Sequence, residues 1–142
     1  MDTDVWGPTP VRSKGGAEYF LTFIDDYSRK VWVYFLRHKS EVFEQFKLSK
    51  VQVEKATGRR VRCLRSDNGG EYKSMEFKDF CTREGIRRHY TMPYGPEQNG
   101  VAERMNRTLT KRARSMRLNS GLLEEFWTEA LNMVCYLANR SP

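Results

Sequence analysis

The stretch RVRCLRSDNGGEYKS, residues 60–74, is the part of the sequence that best predicts the fold. Residues 60–66 alternate in polarity, as a half-buried strand does, and Asp67 follows them directly. An Asn-Gly-Gly sequence comes next, and glycine lets the backbone turn sharply or approach another group closely. In open α/β sheets, chemistry gathers beyond the carboxyl ends of strands, so Asp67 is a candidate functional carboxylate. The alternative is a purely structural Asp67, because Asp-Asn-Gly is also ordinary turn chemistry.

The segments around this stretch predict alternating strands and helices. Apolar runs at 17–26 and 31–36 are separated by turn residues and predict a β-hairpin. Further elements are predicted in chain order: a helix with Ser40 as its N-cap and a stop at Gly58, the strand at 60–66, a helix at 74–84, a strand at 86–91, a long helix at 98–118 and a last helix at 122–139. This order predicts one α/β domain over residues 1–142, with a mixed sheet covered by helices.

Composition limits the classes of function. No apolar run approaches the roughly 20 residues that a membrane span needs, so a membrane partner is not expected. The 25 Lys and Arg residues exceed the 18 Asp and Glu residues, which gives a net charge of +7 and favours a polyanionic partner such as nucleic acid. The alternative is a soluble protein that is merely basic. The three cysteines contain no CxxC pair, which favours free thiols over a zinc site or a disulfide framework.

Two further acids raise the interest of Asp67. Asp4 lies at the end of a short predicted N-terminal strand, and Glu103 lies in the first turns of the long helix, with 35 residues between Asp67 and Glu103. Two neighbouring strand ends and a helix that passes over them can bring these three carboxylates together. Clustered carboxylates repel one another unless a cation neutralises them, and oxygen ligands suit Mg²⁺ or Mn²⁺. We expect the three acids to converge, although repulsion and loop motion can scatter such ligands before a metal binds.

The long helix is predicted to have a charged face and a packed face. At about 100° per residue, Glu103 shares its face with Arg107, Thr110, Arg114 and Arg117. The opposite face, which we expect to pack on the sheet, consists of Val101, Met105, Leu109 and Met116. Residues 103–117 contain six basic residues and one acid, so this helix is a candidate phosphate-binding surface. A solvated charged face is the alternative.

Candidate DNA contacts follow from this placement. The proposed phosphate contacts on the helix are Arg107, Lys111, Arg114 and Arg117. The loop before the helix, PYGPEQNG at 93–100, provides candidates for contacts to bases or sugars, namely Tyr94, Gln98 and Asn99. Ordinary loop polarity explains those three residues equally well.

Five motifs together resemble a known family. In chain order they are TDVWGP at 3–8, YFLTFIDDYSRKVWVYFL at 19–36, RSDNGGEY at 65–72, PYGPEQNGVAERMNRTL at 93–109 and FWTEALNMVCYLANRSP at 126–142. The chain resembles the integrase catalytic core of copia/Ty-type LTR retrotransposons, within the retroviral integrase superfamily. The motifs cover nearly the whole chain in the family's order, which makes the resemblance specific.

The resemblance implies a fold and an activity. It implies an RNase H-like fold, with a five-stranded mixed sheet flanked by helices, and a catalytic Asp-Asp-Glu triad at Asp4, Asp67 and Glu103 that binds two Mg²⁺ or Mn²⁺ ions. The implied reactions are processing of element DNA ends and their joining to target DNA. The implied partners are double-stranded element and target DNA and further copies of the chain. The implied location is the nucleus during integration and a cytoplasmic particle before it.

Some features depart from the family pattern. Asp2 stands where relatives often have His, and Glu97 stands where they often have Gln, and we expect both side chains to be exposed and neutral to function. The family's upstream zinc-binding region has no counterpart in this sequence, so we expect a piece of a longer polyprotein with uncertain activity of its own. Two other functions therefore stay open. One is a catalytically silent DNA-binding or interaction module, and the other is a different RNase H-like nuclease.

Overall fold

The computed structural model describes residues 1–90 and 100–140, so the candidates Tyr94, Glu97, Gln98 and Asn99 lie outside the described residues. The strands in this part of the chain are β1 (Asp2–Trp6), β2 (Tyr19–Ile24), β3 (Val31–Leu36), β4 (Cys63–Ser66) and β5 (Arg87–Tyr90). The helices are α1 (Val42–Thr57), α2 (Met75–Arg83), α3 (Gly100–Asn119) and α4 (Trp127–Arg140). The predicted alternation of strands and helices is therefore confirmed.

The strands form a mixed sheet in the order β3-β2-β1-β4-β5. The β1 strand is central, and it pairs antiparallel with β2 and parallel with β4. Asp2, at the start of β1, lies opposite Arg65, near the end of β4. Residues shortly after the start of β1 therefore lie beside residues that follow β4. This register brings the middle of the first strand close to the Asp67 turn.

Helices cover both faces of the sheet and divide the core into two layers. Successive residues of a strand point to opposite faces, and β2 shows this: Leu21 and Phe23 pack on the α1–α2 side, whereas Phe20 and Ile24 pack on the α3–α4 side. Buried residues of the first layer also include Phe46, Leu64, Tyr72 and Phe77. Those of the second layer also include Leu109, Ala113, Leu131 and Val134. The sheet is thus buried on both faces, as its apolar strands predict.

Helix ends were predicted with mixed success. Ser74 caps α2 by accepting a hydrogen bond from the Phe77 N–H at 3.2 Å. Gly58 ends α1 in the left-handed conformation with φ of 68°. The prediction for Ser40 is wrong, because this residue lies inside a 3₁₀ turn at Lys39–Glu41. In that turn the Glu41 carboxylate accepts the His38 N–H at 3.1 Å, and α1 begins only after it.

Other boundaries differ by a few residues. The strand predicted at 60–66 is shorter, since β4 begins at Cys63 and the preceding Val61 N–H is bound by the Glu54 side chain at 2.8 Å. The last helix begins at Trp127, later than predicted, because Glu124–Phe126 form a 3₁₀ turn. Neither difference changes the layers of the fold.

Gly7 ends β1 at a point where the chain is tightly packed. Its φ is 135°, which side chains rarely adopt, and an added Cβ would lie 2.7 Å from the Glu18 carbonyl oxygen. Only glycine satisfies both constraints, so this residue fixes the path of the chain that leaves the central strand.

The turn that joins β2 to β3 is held by its own side chains. Asp25 Oδ2 accepts hydrogen bonds from the Ser28 N–H at 2.8 Å and from the Ser28 hydroxyl at 2.7 Å.

The three cysteines are free thiols, with Cys81 and Cys135 buried and Cys63 half-buried. Within residues 1–90 and 100–140, no helix has the length and apolarity needed to cross a membrane.

Candidate active site

Asp4 lies in the centre of the sheet, under α3. It is the third residue of the five in β1, so the prediction that it ends the strand is wrong by two residues. Its side chain is buried, and Asp4 Oδ2 accepts a hydrogen bond from Asn106 Nδ2 at 3.0 Å. The other end of the Asn106 amide accepts a hydrogen bond from the Thr22 hydroxyl at 2.7 Å. The orientation of the carboxylate is thus fixed by a buried polar chain that joins α3 to two strands.

The charge of Asp4 is coupled to two other carboxylates. Burial raises the pKa of Asp4, the negative charges of Asp67 and Glu103 raise it further, and the combined effect brings it to about 7. The hydrogen bonds from Asn106 and from the Val5 backbone lower the pKa in part. A carboxylate raises the pKa of a second acid in this way only when the two groups lie near each other. The three predicted acids therefore interact at the central strand, although they come from distant parts of the sequence.

Asp67 follows β4 and forms part of the turn there. Its Oδ1 accepts the Gly69 N–H at 2.9 Å, so the structural alternative for Asp67 is also realised. The turn packs tightly around Gly69. An added Cβ at this position would lie 2.8 Å from the Glu71 carboxylate oxygens and 2.9 Å from Asp67 Oδ1. The absence of a side chain at Gly69 therefore leaves the room in which two carboxylates approach each other.

Glu71 is a fourth acid at this place, and the sequence analysis missed it. Its charge, together with those of Asp4 and Asp67, adds to burial in raising the pKa of the Tyr72 hydroxyl well above its ordinary value. Tyr72 is fully buried, and its hydroxyl lies 3.4 Å from the Thr3 hydroxyl. The tyrosine packs in the α1–α2 layer of the core, whereas Asp4 is bound from α3. The signal for Glu71 in the sequence was its position directly after Asn-Gly-Gly.

The acids have the right chemistry for a hard divalent cation but not a closed arrangement. Carboxylate oxygens are the ligands that Mg²⁺ prefers, and a cation would relieve the repulsion that raises the pKa of Asp4. However, among residues 1–90 and 100–140 no three His, Cys, Asp or Glu side chains are grouped closely enough to hold a metal ion. The predicted convergence of Asp4, Asp67 and Glu103 into one metal-binding group is therefore not seen among these residues.

The exposed and buried faces of α3 lie close to the predicted ones, but the buried face is rotated about the helix axis relative to the prediction. The exposed side chains include Glu103, Arg107, Lys111 and Arg114, while Arg117 is half-exposed and donates a hydrogen bond to the Leu122 carbonyl at 3.1 Å. The buried stripe consists of Ala102, Asn106, Leu109 and Ala113. Of the predicted packed residues, Leu109 is buried, whereas Val101, Met105 and Met116 lie half-buried at its margins. Small and polar side chains at the contact were not recognised because they carry little hydrophobic signal.

Asp2 contradicts its prediction. It is buried rather than exposed, and Arg65 Nε donates to Asp2 Oδ1 at 2.9 Å. The same guanidinium also pairs with Asp26. Its carboxylate partners raise the pKa of Arg65. Although burial opposes the effect, the N-terminal ammonium and Arg65 lower the pKa of Asp26. Asp2 therefore has a structural partner of its own, separate from the acids around Asp4.

Comparison with known proteins identifies the family. The integrase core domain matches residues 1–96. The chain belongs to the integrase core domain family. The integrase core is 53% identical over 140 residues to the retrovirus-related Pol polyprotein from transposon TNT 1-94 of Nicotiana tabacum, covering 99% of this chain and 10% of the polyprotein. It is 32% identical over 140 residues to that from transposon RE2 of Arabidopsis thaliana, covering 99% of this chain and 9% of the polyprotein. The chain thus spans about a tenth of the length of these relatives, and the resemblance to LTR retrotransposon integrases is confirmed.

Solved structures confirm the RNase H-like fold of the integrase core. It matches a chain of the simian T-cell lymphotropic virus intasome in complex with PP2A regulatory subunit B56 gamma, with a TM-score of 0.74, 23% identity and coverage of 99% of this chain and 48% of that chain. The catalytic core domain of BIV integrase matches with a TM-score of 0.66 and 20% identity, and the match covers 99% of this chain and 83% of that chain. The HTLV-2 integrase catalytic core domain in complex with magnesium matches with a TM-score of 0.63 and 21% identity, and the match covers 95% of this chain and 80% of that chain.

Proposed function

We propose that this integrase core is a metal-dependent polynucleotidyl transferase that processes the ends of element DNA and joins them to target DNA. One observation carries the proposal: burial, together with the charges of Asp67 and Glu103, raises the pKa of the Asp4 carboxyl group to about 7. A protein gains nothing in stability from such repulsion, so a cluster of this kind is typical of a cation-dependent site. The family and the polyprotein relatives point to the same activity.

Asp4, Asp67 and Glu103 are the residues that would hold the divalent cations, Mg²⁺ or Mn²⁺, two in each site. The magnesium in the HTLV-2 integrase structure supports this choice of metal. When bound, such ions supply electrostatic stabilisation of the charge that develops on the reacting phosphate. Glu71 lies beside Asp67 at Gly69 and adds negative charge to the same place.

The other residues of the chain position these groups and the DNA. Asn106 fixes the orientation of the Asp4 carboxylate, and the Gly69 N–H fixes that of Asp67. The exposed cations Arg107, Lys111 and Arg114 on α3, with the half-exposed Arg117, bind phosphates and orient the duplex without reading its sequence. The attacking oxygen comes from water in end processing and from a DNA 3′-hydroxyl in joining, and the phosphodiester bond to the displaced DNA 3′-oxygen breaks. Catalysis then rests on position and on stabilisation of charge.

A second candidate function is a catalytically silent DNA-binding module. The observation that favours it is the open arrangement of the acids, with no metal-binding group among the described residues. The basic face of α3 would serve such a module equally well. The two candidates differ in one property, which is whether a divalent metal ion brings about any change in the phosphodiester bonds of bound DNA.

Disintegration of a branched DNA in Mn²⁺ tests the proposed function. We expect the wild-type chain to release and rejoin strands, and Asp67→Asn to abolish this, because one carboxylate ligand is lost. Asp79→Asn is the matched control, since Asp79 is an exposed acid on α2 remote from the site. Inactive wild-type protein that still binds DNA would favour the silent module. Cleavage without rejoining would favour another RNase H-like nuclease, and full activity of Asp67→Asn would remove Asp67 from the catalytic residues.

Further features of the proposal remain predictions. They are contacts of Tyr94, Gln98 and Asn99 with the DNA end, assembly of several copies of the chain, and a nuclear location during integration with a cytoplasmic particle before it. The intasome structure that matches the chain is an example of an integrase in a larger assembly.

A further inference from the structure

A second basic surface lies away from the acids. The turn that joins β2 to β3 and the segment that joins α1 to β4 enclose a groove of about 570 Å³, which we call the hairpin groove. Its lining includes Asp25, Asp26, Tyr27, Arg59, Arg60 and Arg62. None of these residues takes part in the proposed catalytic site.

The acids of the hairpin groove are already bound, whereas its arginines are not. Asp25 is bound by Ser28 of its own turn, and Asp26 is paired with Arg65. Glu54, at the adjoining end of α1, is bound by Lys50 and by the Val61 N–H. In contrast, Arg60 and Arg62 are exposed, and neither has an ion pair with a carboxylate within residues 1–90 and 100–140. Although burial opposes the effect, contacts with Lys50 and Val61 and the charge of Arg60 lower the pKa of Glu54. The acids near the groove therefore neutralise its arginines only in part.

Arg59 is held in place by an aromatic ring. Its guanidinium carbon lies 3.4 Å from the centroid of the Tyr27 ring, although Tyr27 is 73% exposed. A stacked guanidinium keeps its N–H groups directed outward from its edge, where they can bind a phosphate. The contact also joins the two loops of the groove. One cation of the three is thus oriented before any ligand arrives, which lowers the entropy lost on binding.

The position of the hairpin groove separates it from the catalytic site. It is lined by the last turns of α1, on the side of the sheet opposite to α3, which covers Asp4. Arg62 precedes β4 and Asp67 follows it, and five residues of extended chain span about 16 Å. The groove and the Asp4 carboxylate therefore face different sides of the sheet, and we assign a ligand in the groove to a segment other than one bound at the acids.

We propose that the hairpin groove binds the phosphate backbone of a second duplex DNA segment, without reading its sequence. Duplex DNA carries one charge per roughly 1.7 Å of its axis, and unneutralised arginines release its counterions on binding. A protein partner is less suitable, because the exposed side chains of the groove are three arginines, Tyr27 and the ion-paired Asp26, with no apolar centre. The inference goes beyond the proposed function, since neither end processing nor joining at the acids requires a contact here.

The test is the salt dependence of binding to a 30-bp duplex of arbitrary sequence, measured by fluorescence anisotropy in EDTA. We expect Arg60→Glu/Arg62→Glu to weaken binding and to make its salt dependence shallower. Each phosphate contact contributes a factor of roughly 3.5 to the loss of affinity between 50 and 200 mM salt. Because the variant lacks two such contacts, the ratio of its affinity at 50 mM to its affinity at 200 mM should be about tenfold smaller than in the wild type. Arg60→Gln/Arg62→Gln should give the same direction without adding acids.

The matched control is Lys39→Glu/Lys78→Glu, which changes the net charge equally at exposed positions outside the groove. We expect the control to keep the wild-type salt dependence. Equal effects of the groove variants and the control would overturn the proposal, as would a loss confined to single strands with the duplex unaffected. EDTA excludes metal-dependent cleavage, so a failed disintegration assay leaves this result standing, and an unaltered salt dependence leaves the disintegration assay unaffected.

Discussion

Asn106 shows how one polar residue can connect a helix to a buried acid. It is 2% exposed, and its amide binds the Asp4 carboxylate at one end and the Thr22 hydroxyl at the other. A buried amide of this kind is costly unless every partner is present. Its value is that the carboxylate of Asp4 has a single orientation.

Replacing Asn106 should destabilise the protein. Asn106→Ala leaves the Asp4 carboxylate and the Thr22 hydroxyl without their partner, and we expect the free energy of unfolding to fall by about 1–3 kcal/mol. Urea denaturation measures this change. Asn132→Ala, at an exposed position on α4, is the control and should stay within about 0.5 kcal/mol of the wild type. Equal midpoints for the two variants would contradict a connecting role for Asn106.

Asp4 should make the metal-free protein less stable as the pH rises. Its pKa is about 7 in the folded state against an ordinary value of 3.8, so the folded state binds this proton more tightly than the unfolded state does. The resulting stability is fully present below pH 3.8 and is lost as the pH rises towards 7. The charges of Asp67 and Glu103 and the buried Tyr72 hydroxyl face this carboxyl group from the neighbouring elements.

Asp4→Asn should remove that dependence. In EDTA, we expect the stability of Asp4→Asn relative to the wild type to be greater at pH 8 than at pH 5 by about 1–3 kcal/mol. Urea denaturation at the two pH values gives the comparison, with Asp79→Asn as the exposed control. A relative stability of Asp4→Asn that is the same at both pH values would mean that Asp4 titrates normally.

At the scale of elements, two glycines with positive φ should respond differently to the same substitution. Gly7 has φ of 135° and no room for a Cβ, whereas Gly58 has φ of 68° with open space around it. We expect Gly58→Ala to cost about 1–2 kcal/mol, which is the price of a left-handed alanine. Gly7→Ala should cost more, because the Cβ also meets the Glu18 carbonyl. Thermal denaturation of both variants measures the difference, and a Gly7→Ala variant no less stable than Gly58→Ala would contradict the packing described at the end of β1.

The elements that the sequence predicted best are those with a local signal. The hairpin, the capped α2 helix and the Gly58 stop depend on residues within a few positions of one another, so periodicity and turn chemistry identify them. Asp67 was singled out by its place after a predicted strand and Glu103 by its place in the first turns of a predicted helix, and the family resemblance implies a catalytic role for both. Asn106, Glu71 and the Arg65 pair with Asp2 depend on contacts between distant segments, and nothing in the local pattern of the chain indicates such contacts.

At the scale of the whole molecule, the two core layers share one sheet and should unfold together. Phe46 is fully buried on the α1–α2 side, with ring centroids of Phe77 at 5.0 Å and of Phe23 at 6.0 Å. Trp6 and Trp127 pack in the core layer on the α3–α4 side. Trp32 packs against the α1–α2 layer, which contains Phe46. If folding is cooperative, a substitution at Phe46 should therefore shift the unfolding midpoint reported by tryptophans that Phe46 does not contact.

Phe46→Ala tests this cooperativity. In a Trp32→Phe background, we expect it to lower the free energy of unfolding by about 3–5 kcal/mol. The midpoints from tryptophan fluorescence and from far-UV circular dichroism should shift together. Leu48→Ala, at a position on α1 that is 62% exposed, should leave both midpoints nearly unchanged. A fluorescence midpoint that stays at its original value would show that the α3–α4 layer unfolds independently.

Gly69 differs from the other glycines in what surrounds it. Its backbone lies in an ordinary extended conformation with φ of −63°, and the atoms that crowd it belong to the acids of Asp67 and Glu71. A methyl group there would displace the carboxylates of Asp67 and Glu71 and leave the scaffold intact. Copies of a mobile element that accumulate mutations could thus fall silent through a single codon change while still producing a well-folded product, and screening for soluble expression would not distinguish such copies from competent ones.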